Sequence, residues 1–269
     1  MQRHNLHITL LRKTSNQSIK NISRRIIKLE TLKHYDEHLA EYYTWMSGGF
    51  ENKNQEAYNF FKENSIIPFS NKSAYDFGAG CGFQTLALAK LGFNVTAVDF
   101  SIKLIEELKT KVSNYNIKIL KGDILNAVSN IIEPCELIIC MGDTIAHFSD
   151  KESLKKFIFQ CYAKQIEGGK IVLTLRDQIN ELKNEERFIP VKSDDNTIFT
   201  CFLEYFDDYI KVYDIINIRK NNQWIQKISS YIKIRLTAEQ VISYLENAGY
   251  KITKKKIERG LVTLIGTSV

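Results

Sequence analysis

Three carboxylates and a run of glycines stand where chemistry could be done. In SAYDFGAGCG, Asp76 directly precedes a turn in which Gly78, Gly80 and Gly82 occupy every second position. Asp99 follows 21 residues after Gly78, in VTAVDFS, and Asp123 lies in KGDIL. Glycines between a strand and a helix let the backbone approach a ligand closely and aim helix N–H groups at it. A carboxylate at the end of the second strand can accept both hydroxyls of a ribose, and one at the end of the third can reach an adenine edge. Asp76 would repel a pyrophosphate there and would welcome an amino group and a positive centre. A nicotinamide-dinucleotide seat is disfavoured on that ground, and G-x-G-x-G also departs from its G-x-G-x-x-G spacing.

A second cluster lies further on, in LIICMGDTIAHF, which gathers Gly142, Asp143, Thr144 and His147. A histidine near its neutral pKa can take a proton, although His147 could equally cap or pack beneath the next helix. Arg176 and Asp177 follow in LTLRDQ. The guanidinium fork suits a substrate carboxylate, or it pairs with its own neighbour at the surface.

These residues need elements to place them. Strand and helix patterns alternate from 73–77 through helix 82–91, strand 93–98, helix 101–113 and strand 116–120. After an irregular crossover come strand 136–141, helix 150–165 and strand 170–175. That alternation predicts right-handed crossovers and a parallel sheet, so the motifs fall at the carboxyl ends of strands, where such sheets bind ligands. Residues 34–68 read as an aromatic-rich helical segment closed by Pro68. Over 188–235 three runs, NTIFTCFLEYF, YIKVYDIINIRK and QWIQKISSYIKIRL, predict an inserted antiparallel meander. A helix with Thr237 as N-cap and Gly249 past its end follows, then strands near 251–257 and 261–267 that turn at Gly260.

The combination resembles the class I S-adenosylmethionine-dependent methyltransferases over roughly residues 70–180 and 237–267. The resemblance implies an α/β, Rossmann-like seven-stranded sheet with the antiparallel β insertion after the fifth strand. It implies S-adenosyl-L-methionine as cofactor, held by Asp76, Gly78, Ala79, Gly80, Asp99, Phe100, Asp123, Ile124 and Met141. The stretch around His147 and the segment AEYYTWMSGGF are similar to glycine and sarcosine N-methyltransferases and to amino-sugar N-methyltransferases. That likeness implies an N-terminal lid over residues 34–68, with Tyr42 and Trp45 at the cofactor and Tyr43 and Arg176 toward the acceptor. His147 and Asp143 then become the catalytic candidates, and a small amine the expected methyl acceptor.

Composition bounds the partners. Of the formal net charge of +6, residues 1–33 carry +7, eight basic residues against Glu30, which leaves −1 for residues 34–269. The segment 1–33 therefore reads as a basic, flexible leader before a neutral methyltransferase domain, 34–269, and nucleic acid is disfavoured. No apolar run suits a membrane span, and the five unpaired-looking cysteines suggest a reduced, cytoplasmic setting without a metal. An RNA or protein methyltransferase that uses the leader as an arm, and a non-catalytic cofactor-binding partner subunit, are the competing readings. The exposed strands of the meander could pair two subunits edge to edge as a homodimer.

Overall fold

The computed structural model describes residues 27–269. Most of the expected leader, 1–26, lies outside the described residues; its last part, 27–33, is helical, and Thr31 there is buried. The body thus includes residues that charge counting had grouped with the leader.

The first helix, α1, runs without a break over 27–46, and its central turn, Tyr35–Leu39, is a π-helix. Gly48 and Gly49, both at positive φ, separate it from α2 (Phe50–Glu63). Then come β1 (Ser73–Phe77), α3 (Phe83–Lys90), β2 (Asn94–Asp99), α4 (Ile102–Lys111), β3 (Lys118–Lys121), α5 (Ile124–Ser129), β4 (Cys135–Cys140), α6 (Lys151–Ala163) and β5 (Gln165–Arg176). Strands β6 (Phe188–Ser193), β7 (Thr197–Tyr205), β8 (Tyr209–Lys220) and β9 (Gln223–Ile234) form the insertion. The chain returns through α7 (Ala238–Ala248) to β10 (Tyr250–Glu258) and β11 (Leu261–Ser268).

The main sheet has seven strands in the order β10-β11-β5-β4-β1-β2-β3. Strands β1 to β5 pair in parallel, while β11 runs antiparallel to both β5 and β10. Every residue of β4 is buried, as a central strand covered on both faces requires. Its side chains alternate between two cores. Ile138 and Cys140 meet Phe77 of β1 and Leu154 and Phe157 of α6, while Leu137 and Ile139 meet Phe61 of α2 and Leu88 of α3. The α7 helix starts where expected, with a capping box between Thr237 and Gln240, and ends at Gly249 in the left-handed conformation.

The insertion has four antiparallel strands, in the order β6-β7-β8-β9, where the sequence showed three. Pro190 hid β6. A proline removes a ladder donor, so the strand survives only at the sheet edge, beside an irregularity between Pro190 and Lys192. One face of β8 is buried in strict alternation: Ile210, Val212, Asp214, Ile216 and Ile218. That face packs on α1, where Leu39 meets Phe199, Ile216 and Ile218.

Asp214 is the one charge in this stripe, and His34 of α1 answers it, with Nε2 3.0 Å from Oδ2. Both side chains are nearly inaccessible, so each depends on the other. Removing one partner of such a pair costs about 3–5 kcal/mol, whereas replacing both by apolar groups is close to neutral. His34→Leu should therefore lower the thermal midpoint by roughly 6–20 °C, and adding Asp214→Leu should restore most of it. A double variant as unstable as the single one would show that an abandoned charge is not the cause.

Candidate active site

At the carboxyl end of β1, Asp76 is buried and accepts the Thr85 hydroxyl at 2.6 Å. Burial pushes its carboxyl up to about 7, against the opposing pull of Thr85. The glycine turn comes next. Gly78 and Ala79 both donate N–H to the carbonyl of Val98, at 2.8 and 3.1 Å, which hangs the turn from β2. Gly78 has φ +76°, and a Cβ there would stand 2.3 Å from Thr144 Cγ2. A glycine is required by both backbone and space, and the turn interlocks with the loop after β4.

Asp99 ends β2 and is 6% exposed. Its Oδ2 accepts the Gly80 N–H and its Oδ1 the Ser101 N–H, each at 2.8 Å. Burial raises its pKa, and these backbone donors oppose the rise. Each oxygen keeps a further lone pair, so the carboxylate can hold the turn and still accept two ligand hydroxyls. Phe100 follows and meets the Tyr35 ring edge-on at 5.5 Å.

Asp123, expected at an adenine edge, also serves the fold: its Oδ1 caps α5 by accepting the Asn126 N–H at 3.0 Å, and its Oδ2 forms an ion pair with Lys28 of α1. Each oxygen keeps a further lone pair, as at Asp99. Ile124 begins α5 beside it and packs against the core that includes Val128. Met141, just past β4, gives its carbonyl to the Thr144 hydroxyl at 2.6 Å.

The lid residues divide between two faces of α1. The Tyr43 ring covers the turn: its Cε1 lies 3.6 Å from where a Gly80 Cβ would be, and its hydroxyl 3.8 Å from the same point at Gly142. Burial raises its pKa. Tyr42 and Trp45, expected at the cofactor, instead pack with Leu39, Phe199 and Ile216 against the insertion. Lys192 of β6 holds Trp45 there, donating to its carbonyl at 2.6 Å and lying over its ring. The physical reason is helical phase, since neighbours on a helix point about 100° apart.

Beyond β4, Asp143 has a left-handed backbone, φ 66°, and is buried. Its Oδ1 accepts the Arg176 N–H at 2.9 Å and its Oδ2 the Lys233 ammonium at 2.7 Å. The carboxylate expected to hold a cationic amine thus already holds Lys233, which no sequence signal had singled out. The Arg176 side chain is exposed, with Nη1 3.7 Å from the Cβ position of Gly260 in the β10–β11 turn. Asp177 pairs elsewhere, accepting the N–H groups of Ile179 and Ala238.

His147 ends a short 3₁₀ turn, Thr144–His147. Its Nε2 is 3.2 Å from the Tyr35 hydroxyl, and its ring stacks on Tyr231 of β9 at 5.4 Å. Its Nδ1 is buried with no hydrogen-bond partner among the described residues. Burial, then the charges of Lys233 and His34, hold its pKa well below the ordinary value, so the ring is neutral at pH 7. Tyr35, Tyr231 and Lys233 are the residues that sequence reasoning missed. On an ideal α-helix Tyr35 would lie about 80° away from Tyr43. The extra residue of the π turn cuts the offset to roughly 20°, so both rings face the cradle.

Comparison with known proteins agrees with this fold. Residues 74–169 match the family model described as "Methyltransferase domain". The chain is 23% identical over 108 residues to a glycine/sarcosine N-methyltransferase of Aphanothece halophytica, a match that spans 39% of this chain and 41% of that protein. It is 24% identical over 218 residues to the mitochondrial ubiquinone biosynthesis O-methyltransferase of Schizosaccharomyces pombe, which covers 74% of this chain and 73% of that one. The fold is similar to an amino pentose methyltransferase of Micromonospora echinaspora solved with S-adenosylmethionine bound, at a TM-score of 0.69 and 10% identity over 85% of this chain and 96% of that one. Among the described residues, no helix is long and apolar enough to cross a membrane.

The raised pKa of Asp76 gives a pH test of the seat. Below about 7 its carboxyl takes up a proton and loses the charge that a ligand ammonium would meet. Affinity for S-adenosylhomocysteine should therefore fall as pH drops from 8 to 6, by up to roughly tenfold per unit. Asp76→Asn should bind weakly at every pH. Calorimetry checks both, and an affinity independent of pH in the unaltered protein would exclude Asp76 as the ammonium's partner.

Proposed function

We propose that the chain is a class I S-adenosylmethionine-dependent methyltransferase that methylates the nitrogen of a small amine. The cradle suits the cofactor: a glycine turn at a strand end that Tyr43 covers at Gly80, a buried carboxylate with lone pairs to spare at Asp99, and Asp76 beside the turn. When bound, the cofactor supplies a methyl group on a positively charged sulfur. In this reading Asp99 takes the ribose hydroxyls, Asp76 the amino group, and Phe100, Ile124 and Met141 border the adenine. Tyr43, over Gly80 and Gly142, offers its ring and hydroxyl to the cationic end.

The observation that carries the acceptor assignment is the unpartnered Nδ1 of His147 in a neutral, buried ring. A neutral imidazole can accept the N–H of an amine and turn its lone pair toward the methyl carbon. As the new C–N bond forms, the nitrogen gains positive charge and its N–H becomes a stronger donor to Nδ1. So depressed a base is poorly matched to an alcohol, whose proton is far harder to remove. Asp143, tied to Lys233 and the Arg176 N–H, shapes the loop that carries His147. Arg176, exposed and without an ion-pair partner among the described residues, is the group we assign to an acceptor carboxylate.

The relatives support the reading in part, since one is an N-methyltransferase of small amines by name and another an O-methyltransferase. Amino acids and amino sugars, incubated with the protein and labelled cofactor, should include one that gains a methyl group on nitrogen. His147→Asn should lower kcat on that compound by roughly 100-fold or more, with the affinity for S-adenosylhomocysteine unchanged. Label found only on oxygen, or only in RNA or protein, would overturn the assignment.

A further inference from the structure

His147 has two ring nitrogens, and only one is committed. Nε2 faces the Tyr35 hydroxyl at 3.2 Å, while Nδ1 is buried and has no partner among the described residues. Which of the two donates is set by the tautomer of the ring. Tyr35 itself has little freedom. It sits in the π turn between two anchored neighbours: His34 contacts Asp214 and, through Nδ1, the Ser229 hydroxyl at 2.9 Å, and Asp36 accepts the Ser101 hydroxyl at 2.5 Å. Phe100 and His147 both meet the Tyr35 ring edge-on. Three successive residues of α1 thus reach three different elements: the insertion, the loop after β4 and the start of α4.

We propose that Tyr35 is a positioning residue for methyl transfer: its oxygen accepts the Nε2–H of His147, which leaves the lone pair on Nδ1 to meet the acceptor's N–H. This rests on the reading of His147 as the acceptor's partner. In the transfer, the acceptor nitrogen's lone pair forms the bond to the methyl carbon and the carbon–sulfur electron pair stays on sulfur. As positive charge develops on the nitrogen its N–H bonds Nδ1 more strongly, the product ammonium keeps its proton, and Nε2–H stays hydrogen-bonded to the Tyr35 oxygen throughout. The charged and titratable groups around the ring are Lys233 and Tyr231 from β9, His34 from α1, and Asp143 from its own loop. None of them occupies Nε2, so Tyr35 alone among the described residues selects the tautomer.

The test is nitrogen-15 NMR on histidine-labelled full-length protein saturated with S-adenosylhomocysteine. His147 should show the proton on Nε2 at neutral pH, and Tyr35→Phe should lose that preference and titrate His147 at a lower pH. The same variant should bind S-adenosylhomocysteine as before, yet turn over the amine found by the screen roughly 10- to 100-fold more slowly. A proton on Nδ1 in the unaltered protein overturns the proposal, and so does a Tyr35→Phe variant with tautomer and turnover both unchanged. If the Nε2 tautomer is seen but His147→Asn turns over normally, the failure lies in the role given to His147, and Tyr35 has no part in transfer.

Discussion

The site depends on one buried carboxylate. Asp99 ends β2, and its two oxygens accept the backbone N–H groups of Gly80 and Ser101. The first bond fixes the glycine turn and the second fixes the start of α4. Ser101 then caps α4 by accepting the Leu104 N–H and passes its own hydroxyl hydrogen to Asp36 of the lid. Turn, helix and lid are thus tied to a single charge, which is stable in a buried place only because backbone donors surround it. Its remaining lone pairs are where a ribose would bind.

The insertion contributes more than a cover. Lys233 reaches from β9 to Asp143, Tyr231 from the same strand stacks on His147, and Lys192 from β6 holds the end of α1. These contacts come from a segment outside the residues that match the family model, 74–169.

What the sequence made legible follows from what is local. Gly78 and Gly80 announce positive φ, and carboxylates at strand ends can be counted from the spacing of strands and helices. Both needed no knowledge of distant contacts. The seven-stranded sheet was legible for the same reason, each strand being a short apolar run between turn signals. What escaped was non-local or lay in a break of periodicity. Lys233 and Asp143 are 90 residues apart, and nothing in either segment names the other. Pro190 made an edge strand look like a loop. The π turn shifted the phase of α1, which brings Tyr35 beside Tyr43 and His147. Asp123 caps α5 from the strand end where the sequence expects a binding carboxylate, a contact with Asn126 that the spacing alone does not announce.

The central claim is that Asp99 both holds the glycine turn and binds the cofactor's ribose, and calorimetry of S-adenosylhomocysteine on Asp99→Ala tests it most directly. The account predicts a variant that folds, judged by circular dichroism, and loses about 2–4 kcal/mol of binding free energy, roughly 30- to 1000-fold in affinity. A folded variant that binds as tightly as the unaltered protein would contradict it.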